Sequence, residues 1–89
     1  MLDEVIDLYI KLQNYLIAKN YEEFTNEIST NEMLITLLRN YMDLYEMYRI
    51  DFECLEYNIL YNDNEDIIES CNELLYTISK LIQKMIKVL

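Results

Sequence analysis

Eighty-nine residues without a single glycine, proline, tryptophan or histidine make one small domain. It lacks both the usual helix breakers and the residues of tight hairpin turns, and buries only about 60% of the surface its unfolded chain exposes. Seventeen acidic against seven basic side chains give a formal net charge of −10, which repels phosphate backbones and anionic lipid surfaces and so argues against direct nucleic-acid or membrane binding.

The opening "MLDEVIDLYI" is acidic where a secretory leader is positive, and no apolar run approaches the roughly 20 residues of a membrane span. The expectation is a soluble, cytoplasmic protein. Abundant Asn, Ile, Tyr and Lys fit an A+T-rich genome, such as that of a low-GC bacterium, a phage or a large virus.

Leu2 to Ala18 reads as a first helix, with Val5, Leu8, Tyr9, Leu12, Tyr15 and Leu16 on one face and Asp3, Asp7, Lys11 and Asn14 opposite. Asn20 with Glu23 three residues on forms a capping box that opens a second helix. Ser29 with Glu32 offers another, which makes Tyr21 to Ile28 a short separate helix; a helix continuous through Ser29 is the alternative. From Asn31 the helical pattern runs to about Tyr61. "NDNED" then supplies a turn, with Asp63 or Asn64 capping a last helix from Glu65 to about Val88. Asp66, Glu69 and Glu73 early in that helix, and Lys80, Lys84 and Lys87 late, complement its dipole.

The middle helix carries two apolar stripes. At 100° per residue Tyr41, Leu44, Tyr45, Tyr48, Phe52, Leu55 and Ile59 share one arc, and Met47, Ile50, Cys54, Tyr57 and Tyr61 lie almost opposite. The last helix carries a heptad series through Ile67, Cys71, Leu74, Ile78, Leu81, Met85 and Val88. A reversal at Asn62 and Asp63 pairs Tyr57 with Ile68, Cys54 with Cys71, Ile50 with Leu75 and Met47 with Ile78. The last helix then covers the second stripe and the first helix covers the first. The fold expected is all-α: a small antiparallel three- to four-helix bundle with a long central helix. The alternative leaves one stripe as a homodimer seam or partner groove, because a first helix of about 17 residues is short against a middle helix of about 31.

Chemistry-bearing motifs are few. With no histidine and no glycine-rich phosphate loop, no catalytic residue, metal ligand or cofactor is expected, and the chain reads as a non-enzyme. Cys54 and Cys71 read as buried free thiols in a reducing cytosol, level with each other across the last hairpin. Acidic pairs such as Glu53 with Glu56 read as a solvated face. Of the nine tyrosines, Tyr21 and Tyr76 fall off the main stripes and are expected to be exposed.

The edge of the middle helix that neither stripe claims holds Met42, Glu46, Arg49, Glu53, Glu56 and Leu60, and is the leading contact surface. The acidic segment Glu22, Glu23, Glu27 and Glu32 is the alternative patch. The function expected is that of a small acidic binding protein that blocks or masks a basic site on a protein partner, a nucleic-acid-binding site included, as an inhibitor, immunity or anti-defence protein would. A second reading rests on "AKNYEEFTNEISTNEML" followed by "ILYNDNEDIIESCNELL". In helix layout and acidic spacing, over about half the chain, these resemble the short helical export chaperones of flagella; the resemblance implies a secretion or assembly chaperone. A structural homo-oligomer is the third.

Overall fold

In the computed structural model residues 1–88 are described, and they form five helices in chain order with no strand: α1 Leu2–Ile17, α2 Tyr21–Thr30, α3 Glu32–Arg39, α4 Met42–Tyr61 and α5 Asn64–Lys87. Two of the joints are capped as the sequence suggests. The Glu23 amide donates to Asn20 Oδ1 at 3.4 Å to open α2, and the Asp66 amide donates to Asp63 Oδ1 at 3.2 Å to open α5. The other joints differ. Asn31, not Ser29, caps α3, accepting from the Leu34 amide at 2.9 Å; Ser29 lies inside α2, where its hydroxyl donates to the Asn26 carbonyl.

The expected helix from Asn31 to Tyr61 is broken. Asn40 and Tyr41 donate their amides three residues back, to Leu37 and Leu38, and Tyr41 then turns to φ −131°, ψ 89° before α4 begins. The break folds α3 back onto α4, so that Leu34 and Leu38 join the core. The count is therefore five helices rather than three or four, within the all-helical class expected.

α5 lies at the centre, packed on α1 along one flank and on α4 along the other, while α2 packs on α1 and α3 on α4. The middle helix does not hold the central place assigned to it. Ile67, Cys71, Leu74, Ile78 and Leu81 of α5 are all buried, as the heptad series requires, with Leu75 beside them, although Met85 is only half-buried and Val88 at the end is 75% exposed. Facing them, Val5, Leu8 and Leu12 of α1 are buried in phase with the helical period. The first stripe of α4 is covered by α5, α3 and the end of α2 rather than by α1, except at its far end, where Ile59 is 40% exposed: Leu44, Tyr48 and Leu55 are buried and the Tyr48 hydroxyl donates to the Ile28 carbonyl at 3.1 Å. Burial, then the neighbouring Tyr45 and Glu56, push the Tyr48 hydroxyl pKa up. Tyr21, expected at the surface, is half-buried, and its hydroxyl is buried without a partner; Tyr76 is exposed as anticipated.

With no glycine in the chain, α1 must end on a residue that carries a Cβ. Lys19 takes φ 58°, its amide donating to Leu16 and the Asn20 amide to Tyr15 at 2.8 Å, the paired bonds of a Schellman turn. A left-handed backbone costs a non-glycine residue about 1–2 kcal/mol, partly offset by its smaller unfolded-state freedom. Lys19→Gly is therefore expected to raise the unfolding free energy by about 0.5–1 kcal/mol, and Lys19→Val to lower it, in urea denaturation monitored by circular dichroism.

Candidate partner-binding surface

The α4–α5 hairpin has the register expected of it but a different rotation. Asn58 Nδ2 donates to the Asp66 carbonyl at 3.2 Å and to Ser70 Oγ at 2.6 Å, so the two helices run level as a turn at Asn62 and Asp63 implies. The flank of α5 turned to α4 is polar, however, carrying Asp66, Ser70, Glu73 and Thr77 rather than Ile68, Cys71, Leu75 and Ile78. At 100° per residue Cys71 lies about 100° round α5 from Ser70, on the side turned away from the seam. Small Ser70 and Thr77, both buried, allow the two backbones to approach.

The rotation leaves the second stripe of α4 uncovered, contrary to the pairing derived from the sequence. Ile50 is 54% exposed, Tyr57 59% and Tyr61 70%, and Met47 and Cys54 are exposed as well. Tyr57 and Tyr61 shield each other in part, with ring centroids 4.9 Å apart.

Two grooves border this stripe along the α4–α5 seam. One, of about 310 Å³, is lined by Cys54, Asn58 and the carboxylates of Asp51, Asp66, Glu69 and Glu73. The other, of about 350 Å³, lies towards the far end of α5 and is lined by Met47, Asp43 and Tyr76 with Lys80, Lys84 and Lys87. Among the described residues no lysine or arginine comes within 4 Å of the four groove carboxylates, and no group of three or more of their type is arranged to hold a metal ion.

The outer edge of α4 stands about 100° round the helix from the second stripe. Met42, Glu46, Arg49, Glu53, Glu56 and Leu60 are all exposed. Arg49 hydrogen-bonds Glu46 at 2.8 Å and lies 3.9 Å from Glu53, so part of the edge's negative charge is balanced within it. The alternative patch is divided. Glu22 and Glu23 share the first turn of α2, Glu27 turns to α1 and bonds Lys11, and Glu32 opens α3 beside Met1 and Met33.

No protein-family model matches the chain, and no curated protein or solved structure is found similar to it. What the geometry defines is an all-helical protein whose middle helix carries one covered and one uncovered apolar stripe beside an acidic edge. Among the described residues no helix is long and apolar enough to cross a membrane.

The thiols also separate. Cys54 is exposed, correcting the expectation of two buried thiols, whereas Cys71 has no exposure and burial pushes its thiol up to about 12. Since the thiolate is the reactive form, one equivalent of a thiol reagent is expected to label Cys54 in the folded protein, and the second to enter only on unfolding. Mass spectrometry of the labelled chain reads this directly.

Asp51 carries the other perturbed group of the seam. Burial first, and then repulsion from Glu73, push its carboxyl above the ordinary aspartate range, against a smaller opposite pull from the Thr77 hydroxyl. The folded chain thus keeps this proton at a pH where the unfolded chain has lost it, and this group's contribution to stability falls as pH rises from about 4 through the raised value. Asp51→Asn is expected to flatten that fall and to raise the melting temperature at neutral pH, measured across about pH 4 to 7.

Proposed function

We propose that the chain is a small non-enzymatic binding protein of the cytoplasm, whose acidic α4 edge occupies a basic site on a protein partner and so blocks or masks it, as an inhibitor, immunity or anti-defence protein does. The observation that supports this reading is an edge with no internal use. Met42 at 64% and Leu60 at 72% exposure stand at its two ends, with three glutamates and one arginine between them. The Arg49 pairs are too exposed to add much to stability, so the edge is not committed to holding the fold. A net negative charge flanked by exposed apolar side chains steers a basic partner and then gives it something to bury.

A chaperone reading has its own support in the uncovered Ile50, Tyr57 and Tyr61, which form the kind of apolar row that holds a client's amphipathic helix. The two separate by salt. Binding to a basic site weakens and slows as ionic strength rises, while burial of an apolar helix face responds little.

Affinity capture from the native cell identifies the partner, and titration of variants against it tests the edge. Changing Glu46, Glu53 and Glu56 together to lysine is expected to weaken binding by about a hundredfold or more, because attraction becomes repulsion, with the circular-dichroism spectrum and melting temperature nearly unchanged. Unchanged affinity would move the interface elsewhere, first to Glu22, Glu23, Glu27 and Glu32.

A further inference from the structure

The uncovered stripe and the two seam grooves form one continuous face, because Met47 and Cys54 of the stripe each line a groove as well. The face is apolar along its middle and polarised along its seam: carboxylates gather towards the α4–α5 turn, lysines towards the far end of α5. An all-basic partner helix meets repulsion over the lysine half, and an all-acidic one over the carboxylate half. What fits is an apolar row flanked by both signs in the reverse order, and this chain carries such a row itself.

We propose that this face is the seam of a homodimer, in which α4 packs antiparallel against α4 of a second copy about a two-fold axis at the level of Phe52. A closed two-fold contact uses the same patch on both copies, so each residue must suit its symmetry mate. Here Met47 comes opposite the second copy's Tyr57, and Ile50 opposite its Cys54. On α5, Asn58 bonds both Asp66 and Ser70, which fixes the register to about half a turn, and the same axis then sets Lys84 within about half a turn of the second copy's Asp66 and Lys87 within about half a turn of its Asp63 and Glu65. The apolar pairs and the charge pairs are satisfied by one axis position. The outer edge with Glu46, Glu53 and Glu56 stays outside the seam, so the dimer stands independently of the proposed docking on a basic partner and would display that edge twice.

α4 is about 30 Å long and two helices side by side are about 20 Å wide, which gives a face of roughly 600 Å² per copy. Standard stable interfaces bury about 800 Å² per partner. The dimer is thus concentration-dependent, with affinity coming from the apolar middle and register from the charge pairs, which add little energy each because Asp63, Asp66 and Lys87 are exposed and Lys84 is half-buried with its ammonium 5.4 Å over the Tyr41 ring. The net charge of −10 opposes association at low ionic strength and is screened beyond about 8 Å at physiological salt.

Sedimentation equilibrium at about 0.15 M salt tests this. The wild-type chain is expected to move from 10.9 kDa towards twice that mass as its concentration rises. Ile50→Glu is expected to stay folded by circular dichroism, since Ile50 is outside the core, and to weaken the dimer by at least about tenfold. Lys84→Glu and Asp66→Lys are each expected to weaken it, and the double variant to recover most of the loss. Lys84 and Asp66 lie about 27 Å apart along α5, so only a second copy can bring them together. Each exchange also opposes the helix dipole, so the double variant should be the less stable fold and yet the better dimer. A chain that stays monomeric at every concentration, a dimer indifferent to Ile50→Glu, or a double variant no better than either single one would each overturn the proposal.

Discussion

Everything in this structure depends on how α5 is shared between two neighbours. Its heptad series offers one wide apolar face to α1, and its adjoining flank of Ser70 and Thr77 lets α4 approach closely. Side chains such as Leu74, Ile78 and Leu81 have essentially no exposure, and truncating one of this kind to alanine typically costs about 2–5 kcal/mol. In a domain this small such a loss is a large share of the whole stability. α1 and α4 pack far less on each other than each does on α5, which holds them together.

The way α4 meets α5 decides the surface. Because the contact is made through Asp51, Leu55 and Asn58 rather than through Cys54 and Tyr57, one apolar stripe goes inside and the other faces water. The same rotation aligns carboxylates of both helices in one groove without a cation beside them, and raises the pKa of Asp51. An uncovered apolar row, an unneutralised groove and a lysine end are thus one consequence of one packing choice. They give the molecule a face whose chemistry is unfinished within a single chain.

Much of the architecture was legible because capping is local. Asn20 and Asp63 reveal two helix starts by a side-chain oxygen within three residues of the amide it accepts. The break at Asn40 and Tyr41 was not legible, since Tyr41 has no capping side chain and apolar spacing continues through it. Packing of α3 on α4 supplies what the local sequence lacks. The covered face of α4 was not legible for a different reason. Cys54 with Cys71 and Ile50 with Leu75 are plausible apolar pairs at the right level, but level says nothing of rotation, and polar Asn58 and Ser70 bonding across the seam prevailed. Phase alone puts Tyr21 outside, whereas its position at the start of α2, against the core, draws it inward. The exposure of the candidate edge was legible because Glu46, Arg49, Glu53 and Glu56 recur on one arc that neither apolar stripe claims.

The central claim is that α4 hides one stripe and displays the other. Solvent paramagnetic relaxation of side-chain resonances, followed through a dilution series, measures it residue by residue. In dilute protein Leu44, Tyr48 and Leu55 are predicted to be protected while Ile50, Tyr57 and Tyr61 are fully relaxed by the reagent. As concentration rises, the second group alone should gain protection. Protection of Ile50, Tyr57 and Tyr61 at every dilution would contradict the account, for it would mean that α5 covers the second stripe within one chain.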